Sequence, residues 1–163
     1  MRRFAAWQKT KRASHSVQMA TRGIFVSVTF VLLASCGSGR QEPSAAAVSF
    51  PEQSLMTVAS STDNLRIDVR TAPTQPPAGG VQTVQLVITD SMTGAPQTGL
   101  RLDVLPWMPA MGHGASLTPS VAEQPAGTYV VSDVDFFMPG TWELRTSISG
   151  PRSDSAAPSF QIP

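Results

Sequence analysis

The chain is poor in the residues from which most catalytic and nucleic-acid-binding sites are built. Its 163 residues include one cysteine, Cys36, one tyrosine, Tyr129, and two histidines, His15 and His113. A lone cysteine has no intramolecular partner, which excludes a disulfide framework and zinc sites of Cys/His spacing. Lysine is confined to Lys9 and Lys11. No glycine-rich phosphate loop and no nucleophile motif occur. A hydrolase would also need a base, and beyond residue 35 the sole imidazole is His113. These absences predict a protein that is not an enzyme. Long apolar runs are missing too. The mainly apolar stretch 24–34 (IFVSVTFVLLA) has eleven residues, well short of the ~20 a membrane-spanning helix needs. No later segment carries a helical stripe.

What is present begins with a processing signal. Arg2, Arg3, Lys9, Lys11, Arg12 and Arg22 make a basic lead, followed by the short apolar core and small residues. That order describes a secretory signal peptide. Leu33, Ala34, Ser35 and Cys36 resemble the lipobox of bacterial lipoproteins. The resemblance implies that Cys36 becomes the first residue of the mature protein and carries lipid. The protein would then be anchored in the cell membrane, facing the periplasm or the exterior. The competing reading is an ordinary signal peptide with an unrelated cysteine. The lead is long, and both Met1 and Met19 fit as start. Cleavage before Cys36 removes all six basic residues of the lead and leaves six arginines against eleven acidic residues, a formal charge of −5. An acidic, lysine-free mature chain argues against a nucleic-acid partner, since phosphate binding relies on clustered Lys and Arg. Residues 37–61 are rich in Ser, Ala, Gly and Pro and read as a flexible tether. The alternative is that Val48, Phe50 and Leu55 dock an early strand on the domain. The expected organisation is a signal peptide at 1–35, lipidated Cys36 and tether at 36–61, and one domain at 62–163.

That domain has β patterning. LRIDVR (65–70) and LRLDVLP (100–106) alternate apolar with polar; VQTVQLVITD (81–90), GTYVVSDVDFFM (127–138), TWELRTSI (141–148) and the closing PSFQIP follow suit. Turn signals separate them: PPAGG, DSMTGAPQTG, Pro139-Gly140 and SGPRSDSAAP. Short strands at this spacing predict an all-β fold, an immunoglobulin-like antiparallel β-sandwich of about seven strands. Tyr129 opens a strand just after a turn, where sandwiches often bond a tyrosine hydroxyl to nearby backbone; simple core packing competes with that role. Asp133 and Asp135 stand two apart on one strand face and read as solubility charges. The Pro139-Gly140 region reads as a hairpin. A three-residue loop would pair Met138 with Trp142, Phe136 with Leu144, and Val134 with Thr146, placing apolar against apolar.

One stretch asks for more than packing. PWMPAMGHG (106–114) holds Trp107, Met108, Met111 and His113 between Pro106 and Gly114. Thioether sulfur is a soft ligand that selects Cu(I), and imidazole also suits copper. Extended chain would put Met111 and His113 on one face. Pro106 and Pro109 predict an irregular segment. If the 138–142 tip lies beside it, Met138 adds a third sulfur, and Trp107 or Trp142 adds an indole face that attracts cations. The rival interpretation is one end of a core, because methionine fills irregular gaps and packs against aromatic rings.

The run VLPWMPAMGHGASLTPSVAEQPAGTYVVSDVDFFMPGTWELRTSI (104–148) resembles the YtkA-like/FixH-like family of extracytoplasmic domains. The shared features are W-M-P-x-M-x-H, a Pro-x-Gly-x-Tyr step and a strand ending M-P-G-x-W. The resemblance implies an immunoglobulin-like sandwich outside the cytoplasm, and for the FixH branch a setting of cation pumps and oxidase maturation in which copper is handled. A lipobox in place of a membrane-spanning anchor departs from that branch. In residue types the stretch is also similar to periplasmic copper chaperones. Carried onto this chain, the implied ligands are Met108, Met111, His113 and Met138, capped by Trp107 or Trp142. The expected function is Cu(I) binding or delivery in the cell envelope. The alternative is a metal-free structural or interaction module with an envelope-protein partner.

Overall fold

The structure is a computed structural model that describes residues 48–163. The expected signal peptide, Cys36 and the part of the expected tether up to residue 47 lie outside the described residues. Ten strands follow one another: β1 (Met56–Ala59), β2 (Leu65–Ala72), β3 (Gly80–Asp90), β4 (Arg101–Met108), β5 (His113–Gly114), β6 (Ser120–Gln124), β7 (Thr128–Phe136), β8 (Gly140–Ser149), β9 (Asp154–Ala156) and β10 (Ser159–Ile162). They form two antiparallel sheets. One has the order β1-β2-β3-β7-β6; the other has β10-β8-β4-β5, with β9 also on β8. The all-β sandwich expected from alternation is what the chain adopts. The count exceeds seven because β1, β5, β6 and β9 are too short to show a period.

Alternating side chains from both sheets meet in one core. Leu65, Ile67 and Val69 of β2, Val84, Leu86 and Ile88 of β3, Tyr129 and Val131 of β7, and Leu144 and Ile148 of β8 are all buried in it. The outward residues between them are half-buried or exposed. In β7 the alternation breaks once. Gln82 pairs with Val134 and Val84 with Val131, so Ser132 and Asp133 together face Thr83. This β-bulge needs a residue in the left-handed region, and Asp133 takes it with φ 62°. Val131 and Val134, three apart, both point inward as a result. Asp133 is therefore the residue that bends the strand, and Asp135 follows it half-buried.

Two sequence expectations are corrected. Residues 56–59, assigned to the tether, are strand β1: Met56 pairs with Val69 and Val58 with Ile67, and the Leu55 amide donates to Val69 O at 2.8 Å. Leu55, Met56 and Val58 pack against the core, so burial outweighs a tether-like composition. The Pro139-Gly140 hairpin does not form, because β7 lies in one sheet and β8 in the other. The strand leaves its sheet after Phe136 and enters the opposite one at Gly140. Phe136 and Trp142 still meet, their ring centroids 5.6 Å apart, but across the core. Apolar-against-apolar pairing fits two strands facing each other through a sandwich as well as two neighbours in a sheet.

The two open sides of the sandwich are closed differently. On the β1/β9 side, the Ser61 amide donates to Ser155 O at 2.7 Å, and Asp154 accepts from the Ser61 hydroxyl, the Thr62 hydroxyl and amide, and the Ser155 amide. Partial desolvation works to raise the Asp154 carboxyl, but the bonds from Ser60, Thr62, Ser61 and Ser155 outweigh it and hold it well below the usual carboxylate range. On the β4/β6 side the tie is Tyr129. Its hydroxyl donates to Gln97 O at 3.0 Å and accepts from the Leu100 amide at 3.1 Å. This is the corner role rather than packing alone. Burial pushes that hydroxyl above its ordinary pKa, so it remains a donor.

Two measurements check these ties. Tyr129→Phe leaves the Leu100 amide without an acceptor and is expected to lower unfolding free energy by roughly 1–3 kcal/mol in a denaturant titration. A carboxyl whose folded pKa is depressed stabilises above its unfolded value, near 4, and loses that contribution as pH falls through the folded one. Asp154→Asn should therefore lower the thermal midpoint at neutral pH, with the gap to the parent chain narrowing as pH is taken from about 5 toward 2.

Candidate functional site

The end of the sandwich where β4 and β7 finish and β3 and β8 begin gathers most of the sequence candidates. β4 and β5 are joined by a tight turn. The amides of Met111 and Gly112 both donate to Met108 O, at 3.1 and 3.0 Å. Met108 then pairs with His113 and Trp107 with Gly114. Residues paired across antiparallel strands project on the same side, so Met108 and His113 share a face. Met111 sits in the turn and not on an extended strand with His113, as the sequence spacing had suggested.

Pro106 lies inside a strand, contrary to the expected irregular segment. Its carbonyl accepts from Ala115 N at 3.1 Å, on the flank away from β8. Its missing donor therefore falls on the sparsely paired side, where proline is tolerated. Gly114 is required here by close approach: a Cβ would stand 2.9 Å from Pro106 O and 3.1 Å from Leu105 Cδ1.

The β7–β8 crossing supplies the other half. Trp142, fully buried, donates from Nε1 to Met138 O at 2.9 Å and so fixes the crossing to the core. Met138 is half-buried and packs against the core cluster. Met108 is 6% exposed. Its Cε rests where a Cβ on Gly140 would be, 2.6 Å away, and Gly140 has φ 127°. Only glycine admits both the methionine methyl and that backbone. The His113 ring stacks on Phe137, with centroids 5.9 Å apart and planes at 17°. Phe137 in turn meets Trp142 edge-on at 5.3 Å. Nδ1 of His113 lies 3.2 Å from Gly114 O. That contact holds when Nδ1 carries the proton, which leaves the Nε2 lone pair free for a metal.

The structure thus brings Met108, His113, Met138 and Trp142 to one end, with Met111 at the tip of the same turn and 57% exposed. Trp107 is not among them. Alternation turns it to the outer face of its sheet, where the Arg145 guanidinium lies 4.7 Å from its ring centroid. Phe137 is the contributor that the sequence reading missed; the preferred register put Phe136 on the buried face, as it is, but nothing in the pattern said what its exposed neighbour would meet. Gln82, two residues into β3 from this end, is also new. It is buried, and its Oε1 has no hydrogen-bond partner among the described residues.

Chemically, the end offers neutral thioethers, one imidazole and aromatic walls. Among the described residues no group of three His, Cys, Asp or Glu side chains is placed to hold a metal. A cation here would have to be one that accepts sulfur from methionine, which is the donor chemistry of Cu(I).

Core and tip methionines are separable by stability. Met108→Ala should cost about 2–5 kcal/mol, while Met111→Ala should stay within about 0.5 kcal/mol of the parent chain, both read from denaturant midpoints.

A model of the YtkA-like family matches residues 61–147, a span that contains every candidate ligand. No curated protein and no solved structure matches the chain.

Proposed function

The chain belongs to the YtkA-like family, and from that membership and the donor set at the end of its sandwich we propose that it binds Cu(I) and passes it on in the cell envelope. The supporting observation is the register of the β4–β5 turn. It pairs Met108 with His113, stacks the imidazole on Phe137 next to Met138, and leaves Met111 at the open tip. In this reading Met111, His113 and Met138 take the ion from solvent, and Met108 supplies the sulfur beneath them. Phe137 shields the imidazole from water. Trp142 acts from below, as the residue that holds the crossing in place, and Trp107 has no part. The half-exposed arrangement suits transfer, since an ion held near the surface can be reached by an acceptor. The protein binds and hands over; no catalytic step is assigned to it.

The same proposal includes lipid anchoring at Cys36 and a position outside the cytoplasm, on the strength of the lipobox and the family's extracytoplasmic character. A second reading has one observation in its favour. Leu105, Met111, Leu117 and Phe137 are large apolar residues left exposed, which fits a metal-free module that contacts an envelope protein.

The test is an anaerobic Cu(I) titration of the full chain in detergent against a competing chelator, with Cys36→Ser removing the only thiol. One tight site is expected, weakened by at least about tenfold in His113→Ala and in Met111→Ala, the scale on which even outer-shell partners act. Absence of competition, with the chain folded, sinks the metal reading and leaves the second. Mass spectrometry of the chain from membranes reads the anchor separately: a lipid-modified N-terminus at Cys36 is expected.

A further inference from the structure

Sheet edges offer unpaired backbone groups, and this sandwich treats its edges unequally. The β1/β9 side is stitched by Ser61, Thr62, Asp154 and Ser155, as described above. On the other side, β4 is paired along its length with β8, from Arg101↔Ser149 to Trp107↔Glu143. Backbone bonds on its opposite flank occur only near the ends, and between them the 115–119 loop passes beside Val104 and Leu105. At one end the Leu100 amide is capped by the Tyr129 hydroxyl, and the Gly99 amide donates to Glu123 Oε1 at 2.8 Å. At the other end β5 pairs with Trp107 and Met108, and Ala115 N bonds Pro106 O.

The N–H and C=O of one strand residue point to the same flank, and successive residues alternate. Leu100 and Pro106 bond toward the β5/β6 flank, so the backbone groups of Leu102 and Val104 point there as well. Neither residue has a hydrogen-bond partner on that flank among the described residues. A half-open cavity of about 460 Å³ lies at this flank, bordered by Leu102, Val121 and Glu123. A second, of about 500 Å³, lies between the outward residues Asp103, Leu105, Arg145 and Ser147 and the 115–119 loop.

We propose that this gap in the β4 edge, at residues 102–105, docks an extended segment of a partner protein by strand addition. The unpaired groups define the occupant. Two donors and two acceptors, alternating along about four residues, are met by another extended backbone. The segment continues the line of β5 and so runs antiparallel to β4. Its outward residues stand opposite Leu105, Asp103 and Arg101 in turn. Cross-strand pairing then selects an apolar, a basic and an acidic residue at alternate positions, written from N- to C-terminus as apolar–x–basic–x–acidic. The intervening residues face the space between the sheets beside Val121, where small side chains fit. The site is independent of the methionine cluster, so its success or failure leaves the copper reading untouched.

The experiment displays random heptapeptides on phage against the immobilised full chain in detergent, counter-selecting on Val104→Pro. That substitution removes an edge donor and leaves the β8 bonds, as Pro106 does two residues on. Should Val104→Pro not fold, Asp103→Lys on the exposed face replaces it. Enrichment of the stated alternating pattern is expected. On adding a selected peptide, the Leu102 and Val104 amide signals in a ¹⁵N NMR spectrum should shift and gain protection from hydrogen exchange. Asp103→Lys should weaken the peptide about fivefold, and exchanging the peptide's basic residue for Glu should restore it. The proposal is overturned by no enrichment over the bare support, by equal enrichment on the counter-selected variant, or by shifts that map away from β4. Peptide-free self-association lost in Val104→Pro would place a second copy at this edge instead, and would overturn it too.

Discussion

Phe136 packs against Trp142 across the sandwich, and most of the molecule's functional geometry depends on that contact. Phe136 is the last residue of β7 and Trp142 the third of β8. Both are fully buried, with Phe160 of β10 completing the cluster 5.5 Å from Phe136. The chain changes sheets between them, so the two rings are buried facing each other. The three residues 137–139 therefore bridge the end of the sandwich instead of turning within one sheet. Phe137 and Met138 are carried to that end by the crossing, and the Trp142 indole holds it there through Met138 O. Large aromatic rings dominate core energetics. Here they also decide which side chains surround His113.

The remaining restraints are polar and local. Asp154 binds the β1–β2 turn to β9, and Tyr129 binds the connection after β3 to the start of β4. The Arg152–Asp90 pair at 2.7 Å adds a further link between the sheets. Surface ion pairs of this kind contribute little each; the hydrogen bonds to an ionised or buried partner contribute more. Their distribution has a consequence. One open side of the sandwich is tied at one point, where Ser61 and Thr62 meet Asp154 and Ser155, and the other is fixed at its two ends with unpaired backbone between. The sandwich thereby carries two separate features, a sulfur-rich end and a strand edge with unpaired backbone, both built on residues of the core cluster.

Much of this was legible in the residues. Alternation in 65–70, 81–90 and 100–106 placed three strands, and the Pro-x-Gly-x-Tyr step placed the tyrosine corner. PWMPAMGHG was singled out as the unusual stretch, and its Met108, Met111 and His113 do lie on one turn. Other features were not legible, for identifiable reasons. Strand β1 has four residues in a segment of tether-like composition, and only its burial against the core reveals it. Pro106 argued against a strand because sequence does not say which flank of a strand is unpaired. The bulge at Asp133 was hidden because inserting one residue looks like an irregular polar position.

The sequence by itself determined that the domain is all-β, that residues 48–163 carry more acidic than basic side chains, and which few side chains are soft donors. These follow from period, composition and the identity of atoms, none of which needs a third dimension. Only the tertiary structure decided which elements are neighbours. The same apolar pattern in 134–144 serves a hairpin or a crossing, and the choice rests on whether Phe136 and Trp142 bury better beside each other or across a core. The crossing carried Phe137 onto His113 and Met138 onto the core, while the pairing of β4 with β8 turned Trp107 outward under Arg145 and left the backbone groups of Leu102 and Val104 unpaired among the described residues.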